Sequence, residues 1–517
     1  MENFKILWVD DEVDLLRPHI LFLEEKGFKV YSKNNGSDAL EIIRKNKFDI
    51  IFLDENMPGL SGIETFSEIK KITNTPVVMI TKSEEESIME DAIGGKITDY
   101  LIKPVNPHQI LSSIKRHLDF DRLINNKVQT EYRKDYSTIS QSINSAQNYE
   151  DWVNLYKEII SWELDLDNLQ DNSIQEVLLM QKKEANSSFF KFIKNNYKEW
   201  LEYGTNFSPL LSNQLMKKKV FPLVKNKPMF FVLIDNFRMD QWMLIKPFLE
   251  QFFNIYEDST YCSILPTSTQ YARNSIFSGF LPSQIKKQFP NYWVEDYEEG
   301  GKNLYEKELF EELLKRENKR YKFSYNKILN TDAGKKIVEK VNDLLNNDLN
   351  IIIYNFVDNL SHAKTDLKMI KELAGNEKSY RDLTLTWFKN SSLFDLLKVL
   401  SLKNIDLIIT TDHGTVNVET PSKIIGERDI SNNLRYKTGR RMSFESKNTF
   451  HVDNPQSVYL PSTNVSSSFV FAGTDHFFAY PNNFNHYVKY YKNTYQHGGI
   501  SLEEMIIPFV HLNNKNE

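Results

Sequence analysis

Short apolar runs alternate with helix-like stretches in two separate parts of the chain, and this alternation limits the available folds more than any other feature. In residues 5–118 the runs are KILWV, DIIFLD, PVVMIT and DYLIKP. Runs of this length, separated by segments of helical period, predict β-α units around a parallel sheet that is covered on both faces. We therefore expect an α/β domain over residues 1–118.

The middle and the last parts of the chain have different patterns. Strand signals vanish over residues 119–219, where apolar residues recur at intervals of three and four, as in Trp152, Leu155 and Tyr156, and we predict a helical connector. Strand signals return in MFFVLID, YCSIL, LNIIIYNFVD, IDLIITTDHG and SFVFAG, and YCSIL predicts a strand that ends at Leu265. Residues 220–517 therefore form a second α/β domain, which makes the chain an α/β multidomain protein.

Composition limits the class of protein further. The chain has 517 residues, enough for about three domains, and its 40% hydrophobic residues suffice for real cores. The formal net charge of -6 gives no basic footprint for non-specific nucleic-acid binding. The single cysteine, Cys262, excludes an intramolecular disulfide and a cysteine-based zinc cluster. There is no signal-peptide pattern and no apolar stretch long enough for a membrane span, so we expect a soluble, cytoplasmic protein.

Polar residues stand at the ends of the strands predicted in the first domain. Asp10 and Asp11 follow the first strand, Asp54 ends a later one, Thr81 ends the next and Lys103 follows the last. These strand ends meet at one edge of a parallel sheet, and carboxylates gathered there suit Mg²⁺ together with a phosphoryl group. Taken singly, each acid is equally well explained as a solvated turn or a helix cap, but the five positions together favour a site.

The same residues, with the stretches DENMPGLSG, TKSEE and DYLIKP, resemble the receiver domain of two-component response regulators, a flavodoxin-like fold with a five-stranded parallel sheet. The resemblance implies that Asp54 is the phosphoacceptor and that a sensor histidine kinase is the phosphodonor. It also implies a Mg²⁺ site and a switch: the Mg²⁺ ligands are Asp10, Asp11, Asp54 and the Asn56 carbonyl, and the switch residues are Thr81, Tyr100 and Lys103.

Acidic and histidine side chains also follow the strands of the second α/β domain. They are Asp235, Asp358, His362, Asp412, His413 and His497. Three Asp and three His suffice for two open metal sites with three protein ligands each, suited to Zn²⁺ or Mn²⁺. In SILPTSTQYARNSIF, a turn carries Thr267, Ser268 and Thr269 into the start of a helix, where a phosphate is favoured and a hydroxyl can act as a nucleophile.

This arrangement resembles the alkaline phosphatase superfamily and, more closely, its PglZ-type domains, to which HGGISLEEMIIP is also similar. The stretch from PTST to SGFLP resembles the nucleophile motif of nucleotide pyrophosphatase/phosphodiesterases. The resemblance implies that Thr269 is the nucleophile, with Thr267 and Ser268 as rivals, and that the enzyme is a metal-dependent phosphodiesterase. It also implies two Zn²⁺ per chain, with Mn²⁺ as a substitute: one is held by Asp235, Asp412, His413 and the Thr269 oxygen, and the other by Asp358, His362 and His497.

Two groups of residues are candidate substrate contacts. Arg273 and Asn274 lie one helical turn beyond Thr269, although a salt bridge on the helix surface explains Arg273 equally well. Arg440 and Arg441 lie in LRYKTGRRMSFESK, where basic and aromatic residues alternate as in proteins that bind a phosphodiester strand. A solvated loop is the alternative explanation for that stretch.

The order of receiver, connector and PglZ-like domain resembles response regulators associated with type IX secretion and gliding in Bacteroidetes. The resemblance implies a regulator of those genes that cleaves nucleotide-type phosphodiesters, including cyclic or linear oligonucleotides, and that dimerises when phosphorylated or zinc-loaded. The alternative is a dimerising scaffold that binds a sigma factor and whose metal-stabilised PglZ-like domain is not catalytic.

Overall fold

The chain forms two compact units, Met1–Arg133 and Lys134–Glu517, in a computed structural model, and we describe each unit by itself. The structure describes residues 4–81, 99–103, 105, 107, 110, 113–114, 120–167, 172–203, 208–296, 298, 300–427, 431–462, 464 and 466–515. Within these residues, no helix is both long enough and apolar enough to cross a membrane.

The first unit contains a five-stranded sheet in the order β2-β1-β3-β4-β5, in which all neighbouring strands are parallel. This order is that of flavodoxin-like folds, so the predicted fold of the first domain is confirmed. The strands are β1 (Lys5–Val9), β2 (Lys29–Lys33), β3 (Ile50–Asp54), β4 (Val77–Thr81) and β5 (Asp99–Ile102). The helices are α1 (Arg17–Glu25), α2 (Gly36–Lys45) and α3 (Gly62–Ile72), with a 3-10 turn at Val13–Leu16.

The sheet of the first unit is buried on both faces because β1, β3 and β4 are almost entirely apolar. One core cluster includes Leu7, Leu53 and Met79, and the cluster on the other face includes Ile6 and Trp8. The helices begin at polar residues whose side chains cap free backbone N–H groups: Asn35 caps α2 and Ser61 caps α3. The start of α3 approaches β3 closely, since a Cβ on Gly62 would lie 2.4 Å from the Asp54 carbonyl oxygen.

The connector is helical, as predicted. It consists of α4 (Phe120–Ser145), α5 (Tyr149–Leu166) and α6 (Asn172–Tyr203). Trp152, Tyr156 and Ile160 of α5 are buried, which follows from their helical spacing. The Trp152 ring packs edge-on against Phe189 of α6, with 5.6 Å between the ring centroids. From Lys134 onward the connector belongs to the same compact unit as the C-terminal domain.

A six-stranded mixed sheet is the centre of the second unit. Its order is β7-β19-β10-β6-β9-β8; β10, β6, β9 and β8 are parallel, and β19 runs antiparallel to both β10 and β7. The strands are β6 (Met229–Ile234), β7 (Phe253–Cys262), β8 (Phe323–Ile328), β9 (Leu349–Tyr354), β10 (Asp406–Thr410) and β19 (Ile506–Asn514). This sheet fits the predicted alkaline-phosphatase-like α/β fold.

Helices connect and cover these strands, and three small sheets stand beside the central one. The helices are α7 (Met239–Leu249), α8 (Thr269–Ser278), α9 (Pro282–Gln288), α10 (Glu306–Arg316), α11 (Thr331–Glu339), α12 (Val341–Leu344), α13 (Phe356–Asp366), α14 (Lys368–Leu373), α15 (Glu377–Asn390), α16 (Ser392–Leu400), α17 (Phe484–Tyr491) and α18 (Leu502–Met505). The small sheets comprise β11 (Val416–Val418), β12 (Thr420–Ile425), β13 (Tyr436–Gly439), β14 (Ser443–Phe444), β15 (Thr449–Val452), β16 (Ser468–Ala472), β17 (His476–Ala479) and β18 (Thr494–Gln496), in the orders β11-β18, β14-β12-β17 and β13-β16-β15.

The prediction that a strand ends at Leu265 is wrong, because β7 ends at Cys262. The N–H of Ser263 still donates to the Met505 carbonyl at 2.9 Å, but the next two N–H groups bind side chains. The N–H of Ile264 donates to Ser212 Oγ at 3.2 Å, and the N–H of Leu265 donates to the Tyr197 hydroxyl at 2.8 Å. The stretch from Ser263 to Ser268 is therefore a loop, called the nucleophile loop below.

Candidate phosphoacceptor and metal sites

The carboxyl ends of the receiver strands bring three acids and a lysine together. Carboxylate oxygens of Asp10, Asp11 and Asp54 lie within 4.8 Å of one another, and this group could hold a metal ion. Asp10 and Asp54 are buried, whereas Asp11 is exposed. The Lys103 ammonium lies 2.7 Å from Asp54 Oδ1 and 3.1 Å from Asp10 Oδ2.

Opposing effects of burial and charge act on the pKa of Asp54. Burial raises the pKa of Asp54, the Lys103 ammonium opposes that rise, and Asp10 and Asp11 add to it by repulsion. Burial works against the charge on Lys103, but its hydrogen bonds to Asp54 and Asp10 raise the pKa of Lys103 overall. A cation beside these acids would relieve their mutual repulsion, so the three carboxylates fit a Mg²⁺ site.

The remaining receiver residues are placed as follows. Thr81 ends β4 and is buried, and its carbonyl accepts the N–H of Lys103 at 2.7 Å. Asn56 is exposed two residues after Asp54. The backbone of Tyr100 belongs to β5, but its side chain lies outside the described part of the chain, so its predicted switch role stays a prediction.

The candidate ligands of the second unit follow three adjacent parallel strands. Asp235 directly follows β6, Asp412 follows β10, and Asp358 lies in the first turn of α13 after β9. Since β6 lies between β10 and β9, the three carboxylates converge at one edge of the sheet. Ligand sites of open α/β sheets lie at this edge, at the carboxyl ends of the strands.

One ligand group is fully buried and holds the candidate nucleophile. Ligand atoms of Asp235, Asp412 and His413 lie within 4.8 Å of one another. The hydroxyl of Thr269, the first residue of α8, lies 3.3 Å from Asp235 Oδ1 and 3.1 Å from His413 Nε2. The hydroxyl therefore stands beside this group and at a helix N-terminus that favours an anionic substrate.

A second ligand group lies next to the first. Ligand atoms of Asp358, His362 and His497 lie within 4.8 Å of one another, and His362 is exposed. The rings of His413 and His497 stack with 4.4 Å between their centroids, which joins the two groups. Asn236 lies between them: its N–H donates to Asp412 Oδ1 at 3.4 Å, and its side-chain amide donates to Asp358 Oδ1 at 3.3 Å.

Both groups fit metal ions on the evidence of their own hydrogen bonds. His413 donates its Nδ1 hydrogen to the Gly414 carbonyl at 3.1 Å, and His497 donates its Nδ1 hydrogen to the Thr267 carbonyl at 3.3 Å. This pairing leaves Nε2 of each ring as the atom with a free lone pair, as in protein metal sites. Within the described residues, the buried Asp412 Oδ2 accepts no hydrogen bond. The Arg273 guanidinium is 3.8 Å from this oxygen, too far to donate a hydrogen bond. A buried carboxylate oxygen without a hydrogen bond is costly unless a cation binds it.

The pKa values of these side chains are far from their ordinary range. Burial raises the pKa of Asp235 to about 8, an effect that Arg273 opposes and Asp412 increases. Burial also works against ionisation of Asp358, but His362 and His497 lower its pKa overall. Burial and the neighbouring His413 lower the pKa of His497 to about 3, which keeps its ring in the neutral form that binds metals.

The neighbours of Thr269 are placed differently. The buried Thr267 hydroxyl donates to the Gly499 carbonyl at 2.9 Å and accepts the N–H of Gly498 at 3.0 Å. Ser268 is the N-cap residue of α8, and its side chain makes no capping hydrogen bond. Of the three candidate hydroxyls, Thr269 is the one in hydrogen-bond contact with the ligand group, which supports its role as nucleophile.

The predicted substrate contacts of Arg273 and Asn274 stay a prediction, and the structure gives both side chains partners within the domain. Both side chains are buried, and the Arg273 guanidinium donates to Asp235 Oδ2 at 2.8 Å and to Glu306 Oε1 at 2.6 Å. Asn274 donates to the Lys302 carbonyl at 3.2 Å. A buried guanidinium needs carboxylate partners, and those of Arg273 lie inside the domain rather than at its surface.

The basic stretch divides into buried and exposed residues. Arg435 and Lys437 are buried, contrary to a continuous basic surface. Arg440 and Arg441 lie at the surface, and their guanidinium nitrogens are 3.0 and 3.7 Å from Glu427 carboxylate oxygens. Both side chains share the single carboxylate of Glu427 and stay at the surface, so their predicted substrate contacts stay a prediction.

Three residues of the site escaped the sequence analysis. Glu306 binds Arg273, and Asn236 bridges the two ligand groups with a positive φ of 63°. Asn303 donates to the Thr269 carbonyl at 2.9 Å. The Asn directly after Asp235 was a usable signal, since Asn adopts left-handed backbone more readily than most residues. Glu306 and Asn303 carry no local signal, because their partners lie about thirty residues away in the chain.

Three protein families match the chain in consecutive segments. Residues 6–115 match the response regulator receiver domain, 122–201 the PorX response regulator linker domain, and 215–512 the BREX system PglZ alkaline phosphatase-like domain. Fold and sites thus define a response regulator with an alkaline-phosphatase-like output domain. Because the last match covers more than half of its residues, the chain belongs to the PglZ alkaline phosphatase-like family, in the domain arrangement of a PorX-like response regulator.

Individual relatives match only the receiver part. The CpxR homolog of Haemophilus influenzae, a transcriptional regulatory protein, is 37% identical over 113 residues, or 22% of this chain and 48% of that protein. The transcriptional regulatory protein SrrA of Staphylococcus aureus is 30% identical over 111 residues, or 22% of this chain and 46% of that protein. The chain thus spans about half the length of the curated relatives it matches.

Solved structures match the same part. A two-component response regulator from Clostridium difficile is 32% identical and covers 22% of this chain and 95% of its own, with a TM-score of 0.21. A CheY-like receiver domain protein from Methanospirillum hungatei is 29% identical and covers 23% of this chain and 95% of its own, also with a TM-score of 0.21.

Proposed function

We propose that this response regulator is phosphorylated on Asp54 by a sensor histidine kinase and that its output domain is a zinc-dependent phosphodiesterase. One observation carries the proposal: the Thr269 hydroxyl lies within hydrogen-bond distance of both Asp235 and His413, beside a second ligand group. A pure scaffold has no use for a hydroxyl at a helix N-terminus next to three mutually repelling carboxylates.

The side chains of the site have different roles in the proposed cleavage. Asp235 and His413 hold the Thr269 hydroxyl in place, and its proton passes to water as the oxygen attacks. The free N–H groups at the start of α8 favour the anionic phosphate. The Thr269 oxygen attacks phosphorus, a phosphothreonine diester forms, and the displaced alkoxide leaves as the alcohol with a proton. Water then releases the phosphate monoester and restores Thr269. Zinc bound to the two ligand groups supplies positive charge for the attacking and leaving oxygens.

The proposal assigns the metals by ligand type. Two imidazoles and a carboxylate form the second group, and such mixed nitrogen and oxygen sets suit Zn²⁺, with Mn²⁺ as a substitute. The receiver group contains oxygen ligands alone and suits Mg²⁺. Its three acids also support Asp54 as the phosphoacceptor, with Lys103 as the counter-charge of the phosphoryl group.

The biological part of the proposal rests on the domain order. The PorX-type linker between receiver and PglZ domain supports a regulator of type IX secretion and gliding genes that acts on nucleotide-type phosphodiesters, including cyclic or linear oligonucleotides. A cytoplasmic location and a homodimer promoted by phosphorylation or zinc belong to the same proposal.

The test is cleavage of a generic aryl phosphodiester by the zinc-loaded protein, with an aryl monoester for comparison. Thr269→Val is expected to lower the rate of diester cleavage by at least about a thousandfold, as loss of a covalent nucleophile does. Ser268→Ala is the matched control, since it removes the neighbouring hydroxyl, and it should retain most of the activity.

Two outcomes would contradict the proposal in different ways. Full activity in Thr269→Val, with activity lost in Ser268→Ala, would move the nucleophile to the neighbouring hydroxyl. A wild-type protein that binds zinc tightly and cleaves neither ester would support the scaffold, in which the metal domain only recognises a partner such as a sigma factor.

A further inference from the structure

A residue of the connector accepts a hydrogen bond from the nucleophile loop. Its residues Ile264 and Leu265 lie beyond the last ladder pair of β7 and need other acceptors for their N–H groups. The Leu265 N–H donates to the hydroxyl of Tyr197, near the end of α6, at 2.8 Å. Tyr197 is buried, and burial raises the pKa of its hydroxyl, so the group stays neutral and available as an acceptor. Four residues later the chain reaches Thr269.

Helix α6 also forms hydrogen bonds with the segment that follows His497, a candidate metal ligand. Asn186 of α6 accepts the Leu502 N–H at 2.8 Å and donates to Glu503 at 3.1 Å. Lys182, one turn earlier, lies 3.1 Å from the other oxygen of Glu503. These contacts fix the start of α18, a few residues after His497.

The two loops are hydrogen-bonded to each other. The Thr267 hydroxyl bonds to Gly498 and Gly499, and the Thr267 carbonyl accepts from His497. Glu504 accepts the Gly499 N–H at 2.8 Å, so the start of α18 is part of the same network. A shift of α6 would therefore move the nucleophile loop together with residues 497–504, called the His497 loop below.

Helix α6 has little freedom to shift by itself. Lys182 also donates to Glu163 of α5 at 2.9 Å, in the interior of the unit. A Cβ on Gly473 would lie 2.4 Å from the ring of Phe190, which shows how closely α6 packs on the C-terminal domain. Helix α6 is thus held both by α5 and by the C-terminal domain.

We propose that α6 is a structural part of the active site and that Tyr197 and Asn186 are positioning residues for the nucleophile loop and the His497 loop. The inference rests on the proposed function for its effect on catalysis, but not for its effect on the loops. It means that the connector does more than separate the receiver from the output domain, since the catalytic geometry depends on it. Supporting residues of this kind typically change activity or metal affinity by about 10- to 100-fold when they are replaced.

The test uses two variants of the full chain, each with a matched control from the connector. Tyr197→Phe removes the acceptor of the Leu265 N–H, and Tyr156→Phe removes a buried hydroxyl that has no hydrogen-bond partner within the described residues. Asn186→Leu removes both contacts to the His497 loop. Asn196→Leu removes an amide whose hydrogen bond, within the described part of the chain, goes to the Phe192 carbonyl of the same helix.

Amide hydrogen exchange, followed by mass spectrometry, reads the loops without any substrate. Tyr197→Phe is expected to speed exchange in peptides that cover residues 263–268 by about fivefold, the size expected for one lost hydrogen bond. Asn186→Leu should do the same for residues 497–504. Both variants should also lower kcat for the aryl diester by about tenfold with little change in KM, whereas both controls should match the wild type.

The outcomes separate this inference from the proposed function. Unchanged loop exchange in both variants would overturn the positioning role, whatever the activity. Faster loop exchange in a protein whose wild type cleaves no diester would leave the positioning role intact and remove the phosphodiesterase. If Tyr197→Phe does not fold, the Asn186→Leu and Asn196→Leu pair decides the question.

Discussion

The output domain contains buried ion pairs, and the pair of Arg435 with Glu504 is the clearest example. Its guanidinium donates to both oxygens of Glu504, at 3.2 and 2.7 Å, and neither side chain is exposed. Removing one partner of such a pair strands the other charge in the interior, at a cost of about 3–5 kcal/mol. We expect Arg435→Met to lower the free energy of unfolding by that amount in urea titrations.

Arg440→Met is the control for that prediction. The Arg440 side chain is 42% exposed and lies 3.0 Å from Glu427, so its ion pair is a surface one. Surface pairs contribute about 0–1 kcal/mol. Equal losses of stability in the two variants would contradict the burial of Arg435.

We expect the free energy of unfolding to depend on pH because of Lys437, two residues after Arg435. Burial lowers the pKa of Lys437 to about 7, far below its value of 10.5 in an unfolded chain. Between those two pH values the unfolded state binds one more proton than the folded state, so this residue makes stability rise with pH. Its ammonium donates to the Ser431 carbonyl at 2.8 Å, and the adjacent Tyr480 has a raised pKa and does not titrate in the window.

The measurement is the urea midpoint of the wild type and of Lys437→Met at pH 7, 8 and 9. The free energy of unfolding of the wild type is expected to rise relative to that of the variant as pH increases, by up to about 1.4 kcal/mol per pH unit. The change with pH is the signature, because the substitution also alters packing. A difference that stays constant from pH 7 to pH 9 would show that Lys437 does not titrate in this range.

At the residue scale, the sequence predicted which acids lie close together when each acid follows an apolar strand. Asp235 and Asp412 stand directly after apolar strands, and the structure brings them together because neighbouring parallel strands end at one edge. It did not find the buried partners of Arg273 and Arg435, since sequence shows that a residue is basic but not which way it faces. Their partners, Glu306 and Glu504, are distant in the chain and give no periodic signal.

At the scale of elements, the contact between α6 and the C-terminal domain yields a packing prediction. A Cβ on Gly473 would lie 2.4 Å from the Phe190 ring, which is itself buried. Gly473→Ala should therefore overpack this contact and lower the free energy of unfolding by about 1–3 kcal/mol. Thermal or urea unfolding of the full chain measures the effect.

Gly375→Ala provides the comparison. A Cβ there meets its nearest neighbour, the Glu372 carbonyl oxygen, at 3.4 Å, an ordinary contact. Its stability should stay within about 0.5 kcal/mol of the wild type. Wild-type stability in Gly473→Ala would mean that α6 packs more loosely on the domain than the structure shows.

Whole elements were more predictable from sequence than their ends. Apolar runs predicted β6, β9 and β10, because strands buried on both faces are apolar throughout. The end of β7 was wrong by three residues, because Ser263, Ile264 and Leu265 are as apolar or small as strand residues are. The backbone pairing stops where the N–H groups of Ile264 and Leu265 bind Ser212 and Tyr197, and these two residues come from elsewhere in the chain.

At the scale of the whole molecule, the two compact units carry ligand groups of different chemistry. Asp10, Asp11 and Asp54 offer oxygen atoms alone, whereas His413, His362 and His497 add nitrogen to the groups of the output domain. Oxygen ligands suit Mg²⁺, and imidazole with carboxylate suits Zn²⁺. The two activities proposed for the chain should therefore respond to different metals.

We expect Mg²⁺ alone to support labelling of Asp54 by a small acyl phosphate donor, and zinc to be needed for diester cleavage. A chelator selective for zinc over magnesium should lower cleavage at least about tenfold, as loss of a catalytic metal does, and leave the labelling intact. Asp54→Ala should abolish labelling without changing the bound zinc, and Thr269→Val should abolish cleavage without changing the labelling. Loss of both activities under the chelator, or of neither, would contradict the assignment of metals by ligand type.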